Sequence, residues 1–125
     1  MSYFAGGDSG EGDLRIVRSG ELRGFDVSSG IQIFPVLGER MNINVVELAP
    51  GAVAAVHSHD EEQLGYVVRG TCDFTDGKSS WTLGPGDVYH ALPRVPHGAT
   101  AHQQGCTIID VFSPPRAGVR EMLEG

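Results

Sequence analysis

Short apolar runs recur along this chain, and turn-forming residues separate them. Runs with the composition of strands cover 14–17, 31–37, 41–48, 53–57, 63–69, 71–75, 79–83, 88–92, 98–101 and 107–112. Their lengths and their wealth of Val, Ile, Thr and aromatic residues predict half-buried β-strands rather than helices. The punctuation is Gly38-Glu39, Pro50-Gly51, Asp76-Gly77 and Gly84-Pro85-Gly86-Asp87. Asp76-Gly77 between two such runs predicts a hairpin, and Pro50-Gly51 a tight turn in which glycine takes positive φ. Only 119–123 hints at a helix, and a short one. Many short strands at regular spacing predict an all-β sandwich or barrel, whose inward residues line a cavity. The first dozen residues are rich in Gly, Ser, Asp and Glu, which predicts a flexible arm over 1–12 ahead of one domain over 13–125.

Composition narrows the function. The chain has 125 residues and a net charge of −7, which suits one domain with one sizeable core. Lys78 is the only lysine, and the eight arginines are scattered. Without a basic patch, nucleic acid is not an expected partner. An acidic surface disfavours anionic membranes, and no apolar run is long enough to span a bilayer. The first ten residues lack a basic segment followed by an apolar one, so no signal peptide is read and a cytoplasmic location is expected. There, Cys72 and Cys106 are expected as two free buried thiols rather than a disulfide.

The candidate chemistry lies in two segments. His57 and His59 follow the Pro50-Gly51 turn, with Gln63 four residues further on; His97 follows Pro93-Arg94-Val95-Pro96. Residues two apart on a strand share a face, so two imidazoles plus two later donors can enclose one divalent cation. Imidazole suits Zn, Fe, Ni and Cu, and an amide oxygen is a neutral, hard donor. His90 is read as an outer histidine, His102 as solvated, and Asp60-Glu61-Glu62 as a solvated charge run. Asp110 and Phe112 share a strand face and so can both line the cavity; Arg116 follows Pro114-Pro115 at its rim.

These residues carry a family resemblance. Gly51, His57, His59 and Gly70 fit the first cupin motif, G-x5-H-x-H-x3-E-x6-G, with Gln63 at the Glu position. Gly86 and His97 fit the second, G-x5-P-x-G-x2-H-x3-N, with Leu92, Arg94 and Ala101 at the Pro, Gly and Asn positions. The resemblance implies a jelly-roll β-barrel with His57, His59, Gln63 and His97 as metal ligands. Zinc is the first expectation, with nickel, iron or manganese as alternatives. Having Gln63 in place of a carboxylate leaves the site one negative charge short, which favours non-redox Lewis-acid chemistry over oxygen chemistry.

The segment Asp110-Val111-Phe112-Ser113-Pro114-Pro115-Arg116 resembles that of small cupins of pectin and alginate degradation, which linearise unsaturated uronates. It also resembles that of cupin-type aromatic polyketide cyclases. Either resemblance implies Asp110 as general acid/base, Arg116 as carboxylate or oxyanion binder and Phe112 as a wall. An apolar lining by Ile43, Val45, Val67, Val88 and Phe112 would suit a polyphenolic substrate. The first expectation is therefore a polyketide cyclase, a lyase-type enzyme working by enolisation, aldol closure and dehydration. The alternative is the uronate isomerase; a metabolite-binding cupin and a metal-dependent dioxygenase are further classes. The partner is expected to be a small molecule. By analogy with cupins of this size a homodimer is expected, with Tyr3, Phe4 and the arm able to exchange between subunits.

Overall fold

Ten strands and one short helix make up a computed structural model that describes residues 8–9 and 14–125. Two-residue strands β1 (Asp8–Ser9) and β2 (Arg15–Ile16) pair with each other. The remainder of the expected arm, with Tyr3 and Phe4, lies outside the described residues. A single 3-10 turn at Ser19–Glu21 leads to β3 (Phe25–Ser28), β4 (Ile31–Leu37), β5 (Asn42–Leu48) and β6 (Val53–His57). There follow β7 (Glu62–Thr75), β8 (Ser80–Leu83), β9 (Val88–Ala91), β10 (His97–Ser113) and α1 (Val119–Glu124). The antiparallel order is β3-β4-β5-β10-β7-β8, with β6 added to β10 and β9 to β7. This is the expected all-β jelly-roll. No helix among the described residues is long and apolar enough to cross a membrane.

Two pairs of expected strands are in fact single long ones. Residues 63–69 and 71–75 join as β7, and 98–101 and 107–112 join as β10. Gly70 and Gly105 bend these strands where they cross. Both hold positive φ, and a Cβ on Gly70 would stand 2.0 Å from the Gly105 carbonyl oxygen. The bend lets β10 pair with β6 through its first half and with β5 through its second. The hairpin at Asp76-Gly77 and the turn at Pro50-Gly51 form as predicted, with Gly77 and Gly51 at φ 96° and 74°. β3, which packs Phe25 against the small cluster of Leu37, Val119 and Leu123, gave no clear run in the sequence.

The main core joins Ile31, Leu48, Val67, Cys72, Phe74 and Ile108 from four strands. Cys72 and Cys106 lie in it as free thiols, and burial pushes both up in pKa. The β5 register corrects the expected lining. Asn42, Asn44 and Leu48 are buried, and Asn44 and Val46 line the interior. Ile43 and Val45 therefore face outward, since a one-residue offset exchanges the faces. Val88 is 56% exposed, and Val67 is wholly buried in the core. Of the expected lining, only Phe112 reaches the cavity.

On the outer face, Ile43–Val111–Leu64 and Val45–Ile109–Tyr66 stand in cross-strand rows on β5, β10 and β7. This apolar sheet face ends at a polar cluster, in which Arg69 donates to Thr107 Oγ1 at 2.8 Å and Thr107 donates to Glu47.

Candidate functional site

The three histidines converge from two strands and a loop. His57 ends β6 and is the cross-strand partner of His97, which begins β10. His59 sits two residues into the loop before β7. One ligand atom from each ring lies within 4.8 Å of the others. Each Nδ1 faces a main-chain carbonyl oxygen: Ala55 for His57 at 2.8 Å, Glu61 for His59 at 3.0 Å and Val95 for His97 at 2.8 Å. A carbonyl only accepts, so every Nδ1 carries the proton, and the neutral ring has its lone pair on Nε2. His97 Nε2 is buried without a hydrogen-bond partner. Burial also lowers the His97 pKa, which favours the neutral ring a metal needs.

Gln63 completes the set. It is 4% exposed, and its Oε1 lies 2.9 Å from His59 Nε2. Its amide nitrogen donates to the Tyr89 hydroxyl at 2.7 Å, and that hydroxyl donates to Asp110 Oδ1. The chain of donors fixes the amide, so its oxygen faces the histidines. Two acceptors, Gln63 Oε1 and His59 Nε2, thus point at each other. A cation relieves that arrangement, as does a proton on the ring. Together with the orphaned Nε2 of His97, this donor set fits a divalent metal: His57, His59 and His97 could hold one.

Tyr89 was not singled out by the sequence; its neighbour His90 was. β9 places Tyr89 inward, where burial, first, and the neighbouring Asp110 raise its pKa well above the usual value. His90 is exposed, with Nε2 at 2.6 Å from Glu62 Oε2, so it takes the expected outer position. Gly65 was the available signal. It is the cross-strand partner of both Tyr89 and Asp110, and a Cβ there would fall 1.9 Å from Tyr89 Cε1. A glycine inside a strand marks such a close approach.

Asp110 is buried on β10 beside this network, and burial pushes its pKa up to about 6 against the pull of the Tyr89 and Gln63 hydrogen bonds. Phe112, cross-strand from Gln63, sets its ring 5.8 Å from His59. His57, Gln63, Asp110, Phe112 and Arg116 all line one cavity of about 380 Å³, roofed by Val119 and Met122 of α1. The structure thus brings every expected site residue to one place.

Two polar residues are not where the sequence put them. Glu61 is not solvated: it is 7% exposed, while its neighbours Asp60 and Glu62 project outward. Its Oε2 accepts from Ala117 N–H at 2.8 Å, and its Oε1 lies 3.2 Å from His59 Nδ1 and 3.6 Å from Arg116. Burial pushes the Glu61 pKa up, but the Ala117 hydrogen bond, its own backbone and Arg116 outweigh that and hold it low. His102 lies within β10 rather than a loop, with Nδ1 at 2.8 Å from Thr71 Oγ1 and Nε2 at 2.9 Å from Asp73. Arg94 occupies the glycine position of the second motif at φ 67°, and its N–H donates to His59 O at 2.7 Å.

A jelly-roll with three converging histidines defines a cupin domain, and residues 44–112 match the Cupin domain family. The chain belongs to that family. Among its relatives is a pectin degradation protein, KdgF of Dickeya dadantii (strain 3937), 36% identical over 73 residues. That match covers 58% of this chain and 66% of the relative, just under two thirds of its length. The structure of KdgF from Halomonas sp. superposes with a TM-score of 0.74 at 33% identity, covering 80% of this chain and 93% of that one. An RmlC-like cupin from Shewanella frigidimarina gives 0.75 at 26% identity, over 81% and 91%.

Proposed function

We propose that this cupin is a metal-dependent isomerase that opens and tautomerises a 4,5-unsaturated uronate. The observation that carries the reading is the single cavity in which His57 of the histidine cluster meets Gln63, buried Asp110 and Arg116. The likeness to pectin degradation proteins supports it. The polyketide-cyclase expectation leaned on an apolar lining by Ile43, Val45, Val67 and Val88, and none of these lines the cavity. No relative named above supports it either.

His57, His59 and His97, with Gln63 as fourth donor, would hold the ion, zinc being the first candidate. A bound divalent cation supplies Lewis acidity toward substrate oxygens. Arg116 pairs with the substrate carboxylate and fixes the ring against Phe112. Asp110 takes the proton of the anomeric hydroxyl as the C1–ring-oxygen bond breaks, which gives an aldehyde at C1 and an enolate at C5. The same carboxyl then delivers that proton to C4, and the enolate becomes a ketone. Atoms balance: the product is an isomer, and no oxidant takes part. Tyr89 keeps Asp110 oriented through its hydroxyl and Gln63 oriented by accepting from its amide.

The test uses metal-loaded protein and 4,5-unsaturated galacturonate, read by loss of the conjugated-alkene absorbance and by NMR of the open-chain product. Turnover under nitrogen is expected. No turnover with a fully loaded site would sink the reading, and cyclisation of a poly-β-ketone in a parallel assay would restore the alternative.

We also propose a homodimer joined through the outer sheet face. Leu64, Tyr66, Val68 and Val88 are each about half exposed. Together they form one patch on neighbouring strands that can seed an interface of the usual ~800 Å² per partner. Partly exposed Ile43, Val45, Ile109 and Val111 extend it across β5 and β10. A two-fold interface uses the same patch on both subunits, and one continuous apolar face supplies such a patch.

A further inference from the structure

We infer that Glu61 is a positioning residue that holds Arg116 in register with the metal-binding histidines. The carboxylate stands between the two. Oε2 is committed to the Ala117 N–H at 2.8 Å, which tethers the chain next to Arg116. Oε1 lies 3.6 Å from the Arg116 guanidinium and 3.2 Å from His59 Nδ1, and it is buried with no hydrogen bond of its own. A buried carboxylate oxygen left in that state costs free energy unless a cation lies close, and Arg116 is that cation. The Arg116 side chain remains 32% exposed against 10% for Glu61, so the arginine has a fixed root and a free face toward the cavity. Asn42 Oδ1 completes the footing by accepting from the Arg116 N–H at 2.7 Å. His59 does not depend on the carboxylate for its tautomer, because the Glu61 carbonyl oxygen takes the Nδ1 proton at 3.0 Å. The carboxylate therefore serves the arginine more than the histidine. This rests on the uronate reading only for the identity of the anion that Arg116 receives.

The test compares Glu61→Gln, Glu61→Ala, Arg116→Ala and the double variant Glu61→Gln/Arg116→Ala. Glutamine keeps the length and can still accept from Ala117, but it removes the charge. Glu61→Gln is expected to fold and keep its metal on elemental analysis. It should raise KM for unsaturated galacturonate about tenfold, with a smaller change in kcat. In the Arg116→Ala background it should add less than about twofold, because both substitutions break one interaction. A Glu61→Gln enzyme equal to the parent, with only Glu61→Ala impaired, would reduce Glu61 to a tether for Ala117 and overturn the inference. Loss of metal in Glu61→Gln with normal KM after saturation would overturn it in favour of a role on His59. If the parent turns over no uronate, the function proposed above falls and calorimetric titration with galacturonate decides this point. Weaker binding by Glu61→Gln, absent in the Arg116→Ala background, upholds the inference; equal binding, or none by the parent, overturns it.

Discussion

The two faces of β7 follow opposite rules. Inward, Gln63 begins a chain of directed hydrogen bonds through Tyr89 to Asp110, packed over the bare backbone of Gly65. Outward, Leu64, Tyr66 and Val68 offer only apolar area. The inner face is specified atom by atom, since each buried donor or acceptor must find its partner. The outer face is specified by water avoidance alone, which tolerates many residues and says little about chemistry. The proposed function therefore draws on the polar positions of an otherwise apolar interior, and the proposed dimer on the apolar positions of an exterior.

Breaking the inner face should have the largest effects. His97→Ala removes a ring whose Nε2 has no other partner. It should abolish metal retention on elemental analysis and cut turnover by about 100-fold or more. Asp110→Asn keeps the shape but loses the proton carrier, and kcat should fall on the order of 10²–10⁴-fold with metal retained. Gly65→Ala tests whether the network needs the bare backbone. A Cβ 1.9 Å from the Tyr89 ring forces it aside, which should cost ~1–3 kcal/mol in urea unfolding and weaken metal binding through Gln63. If Gly65→Ala melts and binds metal like the parent, the packing argument fails.

On the outer face, Tyr66→Asp should split the dimer in sedimentation equilibrium and leave kcat within about twofold, because the side chain points away from the cavity. A parent that is already monomeric would refute the interface. The smallest effect concerns a residue on neither face. Arg94 holds φ 67°, and Arg94→Gly should stabilise the fold by about 1 kcal/mol in the same urea assay.

The legibility of this site followed the same division. Asp110 and Phe112 could be read because period-two spacing survives in any strand; His57 and His59 could be read from their spacing as a motif, although His59 stands in the loop after β6 and not on the strand. Apolar runs marked eight of the ten strands, but they did not tell which residues faced in. Ile43 and Val45 look like core, while Asn42 and Asn44 look like surface. The reverse holds because Asn42 donates to Asn44 Oδ1 at 2.9 Å within the buried face. Tyr89 and Glu61 were hidden for different reasons. A tyrosine beside a histidine is overshadowed by it, and only Gly65, across the sheet, gave it away. Glu61 stands in a loop, where no periodicity tells a buried carboxylate from two solvated neighbours.

The main-chain clamps on the three imidazoles have a consequence for how such a barrel changes its trade. Each ring takes its orientation from a carbonyl oxygen two residues away in the same segment. The alignment of the three imidazoles is thus carried by local backbone and does not draw on Phe112, Arg116 or Met122. Residues such as Phe112, Arg116 and Met122 can be replaced to admit a different molecule while the donor set stays aligned. Inheritance of the centre and invention of the substrate are separable, which leaves the walls free to diverge between close relatives.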